Sequence, residues 1–77
     1  MVVRIDQLKP RQSGVVCDIL GGRGIVQRLE SLGLRRGKLV TMISAQFMRG
    51  PITVVVDGRH VAMGRGIASR VLVETEG

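Results

Sequence analysis

The sequence is poor in the residues that carry most redox, metal and nucleophilic chemistry. Cys17 is the single cysteine, so no disulfide can close within the chain and no paired-cysteine metal motif exists, a usage that fits a reducing compartment. His60 is likewise alone, with no HxxxH step or paired carboxylate to accompany it. Tryptophan and tyrosine are absent and Phe47 is the one phenylalanine, which removes the ring platforms on which single-stranded bases stack. Acidic residues number 6 against 12 lysines and arginines. No apolar run approaches the roughly 18 residues of a membrane-crossing helix. Residues 1–10 lack the long apolar core and small-residue cleavage site of an export signal, so a cytoplasmic protein is expected.

What is present is a folding composition. The 77 residues are 44% apolar and 23% charged, far from the make-up of a disordered tail. A chain this short holds one core, so residues 1–77 are expected to form a single domain. The net charge of +6 biases encounter toward an acidic partner: nucleic acid, an anionic membrane leaflet or an acidic protein face. Charge alone does not choose among them, although the shortage of rings disfavours single-stranded nucleic acid.

Glycine and proline cut the chain into short elements. Gly14 to Leu20 is rich in Val and Ile and ends at Gly21-Gly22, which reads as a strand running into a turn. From Gly24 to Leu32 the period changes. Ile25, Leu29 and Leu32 recur at helical spacing with Gln27, Arg28, Glu30 and Ser31 between them, and Gly33 stands where a left-handed residue would end the helix. Lys38 to Gln46 reads as a long strand, Arg49-Gly50-Pro51 as a turn, and Ile52 to Val56 as a strand with Ile52, Val54 and Val56 on its core face. Asp57-Gly58 is the two-residue hairpin signal, so Arg59 to Met63 should pair back antiparallel. Residues 64–69 have room for one helical turn, and Val71 to Thr75 reads as a last strand. About five strands without room for crossover helices imply a mainly β fold: a strongly bent antiparallel sheet closing into a small barrel.

No constellation of catalytic type emerges. Ser13, Ser31, Thr41 and Ser44 have no base to activate them, because the one histidine has no orienting acid identifiable in sequence. Gly21-Gly22-Arg23-Gly24 opens a helix, but no Lys-Ser or Lys-Thr follows at phosphate-loop spacing. A plain turn with glycines at positive φ is expected there. Cys17, between Val16 and Asp18 in a strand, is expected to be a small buried hydrophobe. No metal ligand set, cofactor or catalytic residue is therefore assigned.

Taken together, RLESLGLRRG (Arg28 to Gly37) and GPITVVVDGRHVAMGRGIASRVLV (Gly50 to Val73) resemble the ferrous-iron transport protein A family, FeoA. The resemblance rests on Leu29, Leu32, Gly33, Leu34, Gly37, Gly50, Pro51, Ala68 and Val73, with Leu8, Gly14 and Ile19 extending it over nearly the whole chain. Met63 stands where Leu is usual, and Arg36 where Pro is usual; Arg can adopt the same turn angle at some entropic cost.

The resemblance implies an SH3-like barrel, of a kind also found as the C-terminal domain of iron-dependent repressors. It also implies a non-enzymatic cytosolic accessory of ferrous-iron uptake that binds the GTPase region of a FeoB-type membrane transporter. A basic nucleic-acid-binding barrel and a metal-responsive regulatory module are the alternatives. Arg28, Arg35 and Arg36 would form one rim of the docking face, since the planar guanidinium pairs carboxylates bidentately. Leu29, Leu32 and Leu34 have two readings, as core or as the floor of a shallow groove for an apolar segment of a partner or of a second copy. Arg28, Leu29, Leu34, Arg35 and Arg36 are thus the docking candidates. Leu32, Gly33, Gly37, Gly50, Pro51, Asp57 and Gly58 serve as structural motif residues.

Overall fold

The computed structural model describes residues 1–45 and 50–76. Among these, six strands form one antiparallel sheet: β1 (Val2–Arg4), β2 (Ser13–Ile19), β3 (Leu39–Ala45), β4 (Ile52–Val56), β5 (Arg59–Met63) and β6 (Val71–Glu74). Their spatial order is β1-β6-β2-β3-β4-β5. A 3-10 turn (Ile5–Gln7), helix α1 (Arg23–Ser31) and the single-turn helix α2 (Arg65–Ala68) complete the described elements. The fold is the mainly β, SH3-like small barrel expected, with β1 as an additional strand ahead of the one read as first. Its three residues are too few to display alternation. Gln46 at the end of the expected second strand, Phe47, and Arg49 of the turn expected after it lie outside the described residues.

The bend of the sheet is built by two register shifts. On β2, Val16 pairs with Val73 and Ile19 with Val71, so Cys17 and Asp18 stand against the single residue Leu72. The extra residue restores the inward phase: Val16, Val71 and Val73 are buried, and Ile19 packs against them. It also corrects the expectation for Cys17. Alternation from Val16 turns its side chain outward, where the exposed Sγ donates to the carbonyl of Leu72 at 3.4 Å. On β3 the same device follows Met42↔Val54 with Ser44↔Thr53, leaving Ile43 unpaired and exposed. On β4, Ile52, Val54 and Val56 all face the core.

Three tight connections follow sequence chemistry. At the end of α1 the Leu34 N–H donates to Leu29 O and the Gly33 N–H to Glu30 O, both at 3.0 Å. Together with Gly33 at φ 96° these bonds make a Schellman cap, and Leu34 is drawn into the core behind it. The Lys38 N–H donates to Arg35 O across Arg36 and Gly37, with Gly37 at φ 90°. Arg36 therefore does occupy the first central position of a turn, where proline would also fit. Asp57 and Gly58 have φ of 52° and 75°, the paired positive angles of a primed hairpin turn. At the start of α1 only Gly21 needs positive φ (134°), whereas Gly22 at −74° is an ordinary N-cap.

Candidate functional site

The apolar stripe of α1 is divided between core and surface. Leu29 is 1% exposed and roots the helix in the barrel, while Ile25 and Leu32 are only half-buried. Between them and the C-terminal end of β5 runs a cleft of about 150 Å3, with Leu29 as floor, Ala62, Met63 and Gly64 on one side and Ile67 of α2 at its end. Arg28, one residue from the floor, stands on the rim. The groove reading of the stripe thus has a counterpart in the structure, but with a correction. Leu34 at 0% exposure and Leu29 at 1% are core residues in this conformation, because the Schellman cap folds Leu34 under the helix. Ile25, Leu32 and Ile67, each half-buried, are the larger apolar side chains that the cleft leaves partly accessible.

The three arginines of the expected rim do not behave alike. Arg36 swings to β2, where its Nη2 donates to Asp18 Oδ1 at 2.8 Å. That bond, reinforced by the Ile19 backbone N–H, holds the Asp18 carboxyl below the usual carboxylate range. Arg28 and Arg35 are exposed, and among the described residues neither has an acidic group within ion-pair distance. Two of the three candidate arginines are therefore available to an outside anion.

A second, wider hollow of about 470 Å3 lies by the joined ends of β2, β3 and β6. It is lined by Ser13, Val15, Leu39 and Glu74, with Thr75 and Glu76 beyond. Its Ser13 hydroxyl is engaged with Thr41 at 2.7 Å, and Glu74 pairs with the N-terminal amine at 3.1 Å. His60 lies exposed on β5. Among the described residues no group of three or more His, Cys, Asp or Glu side chains converges as a metal site would require. No helix among them is long and apolar enough to cross a membrane.

Sequence reasoning found one wall of the cleft and missed the other. Met63 and Ile67 carry the only available signal, apolar residues bounding a glycine-rich segment, and nothing in it says that this segment folds back beside α1.

The arrangement defines a class, a small SH3-like barrel, here with an apolar cleft between α1, β5 and α2 edged by Arg28. Within that class the chain belongs to the FeoA family: the FeoA domain matches residues 3–75. A Methanocaldococcus jannaschii protein, provisionally named Fe(2+) transport protein A, is 35% identical over 66 residues, which span 86% of this chain and 78% of that one. The crystal structure of an iron uptake regulatory protein (FeoA) superposes with a TM-score of 0.91 at 38% identity, covering 96% of this chain and 97% of the other. A manganese-dependent transcriptional repressor contains a similar fold, with TM-score 0.88 at 17% identity, over 96% of this chain and 41% of its own. At that identity the likeness is one of fold alone.

Proposed function

We propose that this chain is a non-enzymatic cytoplasmic accessory of ferrous-iron uptake, which docks on the cytosolic part of a FeoB-type transporter and modulates its activity. Membership of the FeoA family and the name of the archaeal relative support the iron-transport assignment. The observation that carries the docking assignment is the cleft between α1, β5 and α2, apolar within and edged by Arg28, which has no acidic partner of its own among the described residues. Such a protein changes transport only through a difference in affinity between transporter states. A tenfold preference for one state corresponds to about 1.4 kcal/mol, within reach of one apolar side chain and one charged contact.

The test is binding of the purified chain to the transporter's cytosolic region, loaded in turn with GDP and a GTP analogue. Arg28→Glu and Ile67→Gln should each weaken binding while leaving the melting curve close to that of the parent. Absence of binding in both nucleotide states would refute the assignment, and indifference to both substitutions would refute the cleft.

A further inference from the structure

We propose that the free edge of β5 accepts an extended, acidic and apolar segment of the partner protein as an additional strand. The inference rests on the docking function above and adds how the partner is held.

β5 is the last strand of the sheet and, among the described residues, pairs with β4 alone. The hairpin fixes which of its backbone groups are spare. In a two-residue primed turn the flanking pair, here Val56↔Arg59, exchanges hydrogen bonds, and so do the pairs two steps along, Val54↔Val61 and Ile52↔Met63. The N–H and C=O groups of His60 and Ala62 consequently point away from β4. Both residues are exposed, and no backbone bond to either occurs among the described turn and loop contacts. The opposite edge is shorter and partly occupied. β1 has three residues, the Arg4 N–H is bound to the Gln7 side chain at 2.9 Å, and the chain end beside it is tied down by the Thr75 N–H on Met1 O at 2.8 Å.

The edge leads into the cleft. Ala62 and Met63 belong to both, so a strand lying about 4.8 Å beyond β5 would place one of its alternating side chains over Leu29, between Ile67 and α1. Charge selects the occupant. Exposed Arg59 stands at one end of the edge and Arg28 on the rim near the other, and neither has an acidic neighbour within ion-pair distance among the described residues. A second copy of this chain would bring the β5 sequence Arg59–Met63, which has no acidic residue, so self-pairing offers neither Arg59 nor Arg28 an opposite charge. A segment with carboxylates toward both ends and an apolar residue near Ala62 meets opposite charge and fills the cleft.

The probe is a blocked peptide of about six residues alternating glutamate with leucine, a length matched to one strand, added to the full isotope-labelled chain. On saturation, hydrogen exchange at the His60 and Ala62 amides should slow. Of two peptides N-methylated at alternate nitrogens, one should lose binding and the other keep it, because only one set of nitrogens faces β5. The combined Arg28→Glu and Arg59→Glu chain should bind about tenfold more weakly, as two exposed charge pairs are lost, and a lysine-leucine peptide should bind worse than the glutamate one. Unchanged exchange at His60 and Ala62, equal binding of both N-methylated peptides, or equal binding of the lysine peptide would overturn the proposal. These results are independent of the transporter measurement. Transporter binding that depends on Ile67 without protection at His60 would leave the docking function standing and remove only the strand addition.

Discussion

Replacing Gly14 by alanine tests how closely β2 and β6 approach. Gly14 faces inward, and a Cβ added there would stand 2.8 Å from Val73 Cγ2, 2.9 Å from Val73 Cβ and 3.2 Å from Glu74 O. Carbon atoms in good contact lie about 3.5–4.0 Å apart. A rotamer change at Val73 could carry Cγ2 away but not Cβ, which is fixed to the β6 backbone, and Val73 is fully buried. The strands must therefore separate. Overpacking of this kind costs about 1–3 kcal/mol, and the rigid obstacle points to the upper end. The smaller entropy of the unfolded alanine chain offsets about 0.4–1 kcal/mol, leaving a net loss of about 2 kcal/mol. For a domain of this size that lowers Tm by about 8–16 °C.

Thermal and urea unfolding followed by circular dichroism measure the loss, with Gly24→Ala as control. Gly24 lies in the first turn of α1 with nothing within 4 Å of an added Cβ, so helix propensity alone acts and Tm should rise. Val73→Ala in the Gly14→Ala background removes the nearer contact and leaves Cβ, so the double variant should lose less than the two single losses summed, a non-additive result expected of touching residues. Gly14→Ala melting within about 2 °C of the parent, or rising as Gly24→Ala does, would refute the close approach.

Two further predictions concern α1 and the turn after it. Leu29→Ala should cost about 2–5 kcal/mol, because it empties the floor of the cleft and loosens the cap at once, and a urea midpoint would show it. Arg36→Ala should return the Asp18 carboxyl toward its ordinary value of 3.8, since the Arg36 hydrogen bond is the largest cause of its depression. A carboxyl depressed in the folded state contributes stability above its unfolded pKa and loses it as pH falls through the folded one. The parent should thus shed this contribution only below the ordinary carboxylate range, and Arg36→Ala should lack it. A carboxyl NMR titration reads both effects, and an unmoved Asp18 titration would contradict the ion pair.

How much of this was legible in the sequence depended on how local the cause was. The hairpin at Asp57-Gly58 and the helix end at Gly33 follow from backbone angles that few residues adopt, so both were readable from two or three letters. The core face of β4 followed from alternation. Cys17 faces outward although small apolar residues dominate its strand, because its neighbour Val16 takes the core side. The bulge opposite Leu72, which decides the phase of everything after it, has no signature without the partner strand. β1 was missed because three residues pairing with the far end of the chain carry no local pattern. The candidate arginines divided for a similar reason: Arg36 is spoken for by Asp18 on β2, a pairing that sequence separation hides, whereas Arg28 is left on the rim.

Affinity arithmetic sets a limit on what the cleft can do by itself. At about 150 Å3 it admits little more than one apolar side chain, and burying a leucine-sized group contributes about 1.5–3 kcal/mol. A micromolar complex needs about 8 kcal/mol net, after association has cost several kcal/mol more. The remainder must come from contacts spread over a surface of ordinary interface size, about 800 Å2 per partner, or roughly one sixth of the 4967 Å2 this chain exposes. Only a partner segment that continues beyond the cleft can gather that area on so small a body. The neighbouring elements able to receive it are the edge of β5, with its two pairs of spare peptide groups, and Arg59 and Arg28, which have no acidic partner among the described residues. On the strand-addition proposal, recognition by this barrel would therefore divide by chemistry. The cleft would fix the register of the partner through one apolar anchor, while backbone hydrogen bonds and charge would supply the affinity that the anchor lacks.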